Sequence, residues 1–205
     1  MKHMSVRTGR PRDTGLDASL LEATADLLAE GGSAAVTIDA VVRRAGTTRP
    51  AFYRRYRNRS ELIVATLAHR FGTDPAPDTG SLRGDLEAAQ RNQLRLYTDP
   101  VFVGGMPGLL AELPADAELA GLFSQRFLNP RRVATGRILE RAAARGEIAP
   151  YEDYDWICDL MTGPLLKRLA VPSLPLDERL IELTVDAALA VLGAPRSPTP
   201  REPAG

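Results

Sequence analysis

Residues 37–62 read TIDAVVRRAGTTRPAFYRRYRNRSEL. Ile38, Val41, Val42 and Ala45 recur at three- and four-residue spacing, which predicts one apolar face of a short helix capped by the Thr37 hydroxyl. Gly46 follows the last periodic position, where a chain that turns sharply needs a residue at ease with positive φ. Thr48 then caps a second helix running to about Tyr56, and Pro50 is tolerated because first-turn N–H groups lack an intrahelical acceptor. Phe52 and Tyr56, four apart, are expected to face the first helix. That leaves Arg49, Pro50, Ala51, Tyr53 and Arg54 on the outer side, where a major groove would meet them. Seven arginines fall between Arg43 and Arg59 with no acidic residue among them. A helix-turn-helix with that charge is a candidate DNA reader.

The run AGTTRPAFYRRYRNRSEL, residues 45–62, resembles the signature of the TetR family of bacterial one-component transcriptional regulators, at Ala45, Gly46, Tyr53, Tyr56, Arg59 and Leu62. The motif similarity covers about residues 15–65, and the remainder is similar in helical layout. Two positions differ from the common pattern: Arg59 stands where lysine is frequent, and Pro50 where glycine or a small polar residue is frequent. The resemblance implies an all-α fold, with a three-helix head followed by a helical body that binds a small molecule and dimerises. The implied function is a repressor that binds a palindromic operator as a dimer and is released by an effector. In that scheme Arg49, Tyr53 and Arg54, flanked by Pro50 and Ala51, face base edges or nearby phosphates. Thr37, Arg43, Thr47, Thr48 and Arg59 hold the DNA backbone.

Outward from the motif, residues 5–15 form a polar arm with Arg7, Arg10 and Arg12. Such an arm suits a minor groove, and the competing account is a solvated tail. An amphipathic helix is expected from Leu16 to Glu30, ended by Gly31-Gly32, and another from Asn58 or Ser60 to Phe71. Together with the central pair they are expected to close a small core, making 16–71 the DNA-binding domain. The segment 72–80, GTDPAPDTG, reads as a linker.

From 81 to 193 every periodic stretch is helical. The expected helices run from Ser81 to Tyr97, from Asp116 to Arg145 with a kink or split at Asn129-Pro130, from Asp153 to Val171 and from Asp177 to Leu192. Gly104, Gly105, Pro107 and Gly108 are expected to break the segment from Val101 to Leu113, and irregular backbone there suggests a cavity. Phe102, Met106, Leu109, Leu110, Leu113, Phe123, Phe127 and Trp156 are the candidate lining for a mainly apolar effector, with Arg95, Tyr97 or Arg126 orienting a polar group. The resemblance implies that the last two helices dimerise, through Leu160, Gly163 and Leu166 on one and Ile181, Val185, Ala188 and Val191 on the other. The competing account packs those faces inside one subunit. Residues 194–205, with four prolines in twelve residues, read as a disordered tail.

Net charge is zero, but its distribution is uneven: residues 1–70 hold 12 basic and 7 acidic side chains, and residues 71–205 hold 14 and 19. A basic head on an acidic body fits one DNA-contacting part carried by another with a separate task. One cysteine, Cys158, excludes an intramolecular disulfide, and with only His3 and His69 no metal or other cofactor is expected. No apolar run approaches the roughly 20 residues of a membrane span, so the chain is expected in the cytoplasm. An enzyme would need convergent acid, base or nucleophile groups. The carboxylates Glu152, Asp153, Asp155 and Asp159 fit a helix N-terminus instead, and no catalytic residue is expected. The remaining alternative is a helical protein-interaction module that kept the head without operator specificity.

Overall fold

The computed structural model describes residues 14–72, 76–172 and 174–194, so Arg7, Arg10, Arg12 and the proline-rich tail lie outside the described residues. Within them the chain is helical, with no strand. The head comprises α1 (Thr14–Ala35), α2 (Ile38–Arg44), α3 (Arg49–Tyr53) and α4 (Arg59–Phe71). The body comprises α5 (Leu82–Thr98), α6 (Pro100–Glu112), α7 (Ala117–Phe123), α8 (Asn129–Ala144), α9 (Tyr154–Ala170) and α10 (Glu178–Val191).

Side-chain caps set most of these starts. Thr37, Thr48 and Asn58 accept from the backbone N–H of Ala40, Ala51 and Glu61, and Ser81, Asp99, Asp116, Asp153 and Asp177 do the same in the body. α1 loses helical geometry at Gly31 and Gly32, where the periodicity had placed its end.

Two expectations about irregular backbone change. The segment 100–112 is one helix despite Pro107, and its glycines serve contact with α1. A methyl on Gly104 would overlap the Leu28 carbonyl, and one on Gly108 would overlap the Ser33 side chain, so α6 crosses α1 nearly backbone to backbone. Before Pro130 the chain does not split. Residues Ser124–Leu128 widen into a π-helical turn, with the Asn129 N–H donating to the Ser124 carbonyl, and the helical path continues into α8.

The head does not close a core of its own. Leu20, Phe52, Leu62, Ile63 and Leu67 are continuous with Phe102, Met106, Leu109, Leu119 and Phe127 in one cluster. A second cluster joins α5, α8, α9 and α10 around Leu86, Leu139, Ile157 and Val185.

Candidate nucleic-acid interface and effector cavity

The head's geometry comes from small local devices. Gly46 takes φ +63°, and the Thr47 N–H donates to the Val42 carbonyl at 2.9 Å, which reverses the chain between α2 and α3. Phe52 is fully buried and Tyr56 nearly so, as their spacing predicted. Thr37, Arg43, Thr48, Arg49, Pro50, Tyr53 and Arg54 are exposed and Thr47 is half-buried. Ala51 is buried, which corrects its place on the outer face. It follows Pro50 into the first turn of a short α3, whose inner side it shares with Phe52.

The arginine run divides sharply. Arg44 makes two 2.8 Å bonds to Glu30, Arg55 meets Asp17 at 2.6 Å, and Arg57 reaches Asp116 and Glu118. Arg59 donates to Glu112 at 3.0 Å and toward the Ser33 carbonyl, while the Ser60 hydroxyl also bonds Glu112. Arg59, expected on a phosphate, therefore ties α4 to α6. Arg49 makes two 2.6 Å bonds to Asp39, and each side chain keeps about 60 % of its surface exposed. The Arg49 hydrogen bonds hold the Asp39 carboxyl below its ordinary pKa. Among the described residues of the run, Arg43 and Arg54 alone have no hydrogen-bonded or ion-paired partner. Arg54 stands beside the exposed Tyr53, whose ring edge packs on Phe52.

In the body a cavity of about 390 Å³ opens between α5, α6, α7, α8 and α9. Phe102, Met106, Leu110, Leu113, Phe123 and Phe127 line it, as the sequence suggested. Phe123 and Phe127 stack with centroids 5.1 Å apart, and the Arg131 guanidinium lies 3.8 Å from the centre of the Phe127 ring. Leu109 and Trp156 do not line the cavity. Leu109 is buried in the core shared with α1, because the glycines of α6 turn that side of the helix toward the head. Trp156 is 50 % exposed in the first turn of α9. Of the three polar candidates only Tyr97 faces the cavity; Arg95 borders a separate, more polar cleft, and Arg126 is exposed and lines neither.

Comparison with known proteins now decides the family. Residues 20–66 match the family described as bacterial regulatory proteins, tetR family, and residues 76–188 match the tetracyclin repressor-like C-terminal domain. The second match alone spans more than half of the chain. The chain belongs to the TetR family. The uncharacterized HTH-type transcriptional regulator YdeS of Bacillus subtilis is 32 % identical over 170 residues, covering 82 % of this chain and 85 % of YdeS. The DNA-binding transcriptional repressor TetR of Mycobacteroides abscessus is 32 % identical over 180 residues, covering 87 % and 94 %. The crystal structure of the TetR family transcription regulator SCO0332 superposes with a TM-score of 0.72 at 27 % identity, over 89 % of this chain and 99 % of that one.

This TetR-family chain is therefore a DNA-binding transcriptional regulator, and its relatives are regulators rather than enzymes. Among the described residues no helix is long and apolar enough to cross a membrane, and no cluster of side chains could hold a metal. Sequence reasoning missed Gln90, Thr135, Cys158, Met161 and Thr162 on the cavity wall. The available signal was polar or sulfur-bearing side chains at inward helical positions of α5, α8 and α9. Cys158 is partly buried, and burial raises its thiol pKa, which keeps it protonated.

The expected dimer face divides as well. Ile181, Val185 and Ala188 are buried within the subunit, on the side of α10 that meets α5 and α9. Leu160 is half-buried against the same cluster, and Leu166 lines the cavity. Gly163 and Val191 are exposed, with Leu183 and Trp156 near them in sequence on the same two helices. α10 has a second apolar side at Leu183, Ala187 and Ala190, which the larger buried stripe conceals in a periodicity reading.

Proposed function

We propose that the protein is a cytoplasmic repressor that binds a palindromic operator as a homodimer and leaves it when a small, mainly apolar effector fills the cavity. The observation that carries this reading is the adjacent Tyr53 and Arg54, exposed at the C-terminal end of α3 without a hydrogen bond or ion pair, while five neighbouring arginines are held by carboxylates.

Tyr53 and Arg54, with the Pro50 ring, meet base edges in the major groove. Arg49 joins them by exchanging Asp39 for DNA, and Thr37, Arg43, Thr47 and Thr48 contact phosphates. The basic arm with Arg10 and Arg12 extends the contact. One head reads a half-site. A two-fold pair, with α9 and α10 meeting through Trp156, Gly163, Leu183 and Val191, sets two heads about 34–36 Å apart.

Release follows from shared parts. Leu110 and Leu113 line the cavity while Glu112, between them, holds Arg59 and Ser60 of the head. An effector that displaces the C-terminal turn of α6 displaces α4 with it, and the spacing of the heads changes. Selection from random duplexes at physiological salt tests the reading. A palindrome with half-sites one turn apart is expected, and it is lost in Tyr53→Ala and Arg54→Ala. Unselective binding that vanishes with salt and ignores both substitutions would support the interaction-module alternative.

A further inference from the structure

Gln90, in the middle of α5, is almost completely buried and lies on the cavity wall. Its Nε2 donates to the Met161 carbonyl at 2.7 Å and to Thr184 Oγ1 at 2.8 Å. Both neighbours demand a donor. The carbonyl has no hydrogen to give, and the Thr184 hydroxyl spends its own on the Leu180 carbonyl at 2.8 Å. The amide orientation is thereby fixed, both of its hydrogens are used, and Oε1 remains a pure acceptor. That oxygen is buried and has no hydrogen-bond partner among the described residues. Two turns along the same face of α5, Tyr97 also lines the cavity, and its hydroxyl makes no hydrogen bond to a described residue. Burial raises the Tyr97 pKa to about 12, so this hydroxyl is neutral. The facing walls are mostly apolar, from Met106, Leu110, Leu113, Phe123 and Phe127; of the charged groups that also line the cavity, Arg132 is ion-paired with Asp155 and Asp159, and Arg131 lies over the Phe127 ring and donates to the Phe127 carbonyl.

Resting on the effector-cavity reading above, we propose that the effector is an uncharged, largely apolar molecule that presents a hydroxyl or N–H hydrogen to Gln90 Oε1, with the Tyr97 hydroxyl as its second polar contact. A buried acceptor without a donor is costly, so a ligand that supplies one gains over an isosteric ligand that does not. A carboxylate would set its own lone pairs against Oε1. An ether or a hydrocarbon would leave the acceptor unmet.

Calorimetric titration of the full chain with 4-propylphenol, its methyl ether, propylbenzene and 4-propylbenzoate tests this, with slowed iodoacetamide alkylation of Cys158, run at alkaline pH so that part of the buried thiol is ionised, marking cavity occupancy. The phenol is expected to bind about tenfold more tightly than the ether and the hydrocarbon. Gln90→Met should abolish that preference and Tyr97→Phe should reduce it. If Gln90→Met fails to fold, the ranking on the unaltered chain and on Tyr97→Phe decides. Equal binding of phenol and ether, with Cys158 protected, overturns the donor rule and leaves the cavity reading standing, and tightest binding of the benzoate overturns it in favour of an anionic effector. Failure of all four probes to bind or to protect Cys158 removes the cavity reading, and the donor rule with it.

Discussion

The turn at residues 45–48 and the helix at residues 100–112 are both rich in residues that disrupt helices, yet they use them for opposite ends. Gly46 turns the chain at φ +63° with open space where a side chain would begin. Gly104 sits in regular helix with no room for a side chain, because the Leu28 backbone lies against it. The first glycine answers to its own backbone, and the second answers to a helix about 70 residues away in sequence. Local punctuation is readable from its neighbours, whereas a long-range contact is not. In the proposed function the two regions also divide the work: the turn would aim α3 at DNA, while α6 carries part of the cavity wall and packs beneath the head.

Substitution at the two glycines should separate the turn from the helix most strongly. Gly104→Ala should lower stability by about 2 kcal/mol or more, since overpacking against backbone outweighs the better helix propensity of alanine. For a chain of this size that lowers Tm by about 4–8 °C, measurable by circular dichroism. Gly46→Ala, strained only by its dihedral, should cost about 1 kcal/mol and weaken DNA binding more than its small stability loss accounts for. Equal losses at both sites would mean that close packing is not what distinguishes α6.

The next contrast is between held and unengaged arginines. Arg54→Ala should reduce affinity for the selected duplex about tenfold or more without moving Tm, as expected of a base or phosphate contact. Arg44→Ala should leave the sequence preference unchanged, because Glu30 already holds Arg44. Asp39→Asn frees Arg49 and removes a negative charge from the DNA face, so affinity should rise severalfold, most at low salt.

The smallest effect is the acid dependence of the head and of its contact with the body. The Asp39 pKa is lowered by the Arg49 hydrogen bonds, and that of Asp116 by the Leu119 backbone N–H. Because the folded values lie below the unfolded ones, both contributions are complete above the ordinary carboxylate range and fade as pH falls through the folded values. Denaturant midpoints measured down an acid series should therefore fall less for Asp39→Asn than for the unaltered chain.

What was legible in the sequence follows the same division. Thr37, Gly46, Thr48 and the Phe52–Tyr56 pair reveal the helix-turn-helix because each acts within a few residues of itself. The arginine run conceals its own division: the acids that hold Arg44, Arg55, Arg57 and Arg59 lie far along the chain, at Glu30, Asp17, Asp116, Glu118 and Glu112. The aromatic part of the cavity was readable as an apolar face. Gln90 was not, because its unsatisfied oxygen exists only once Met161 and Thr184 have come to meet its nitrogen. The burial of Ile181, Val185 and Ala188 likewise depends on which side of α10 the body covers.

In the proposed mechanism α6 joins cavity and head, so that filling one disturbs the other. The most direct test is the affinity of the protein for its selected duplex with and without a saturating concentration of the tightest-binding cavity probe. Affinity should fall when the cavity is filled, and the duplex should weaken probe binding by the same factor. Unchanged duplex affinity with the cavity fully occupied, and equal probe affinity on free and DNA-bound protein, would contradict it.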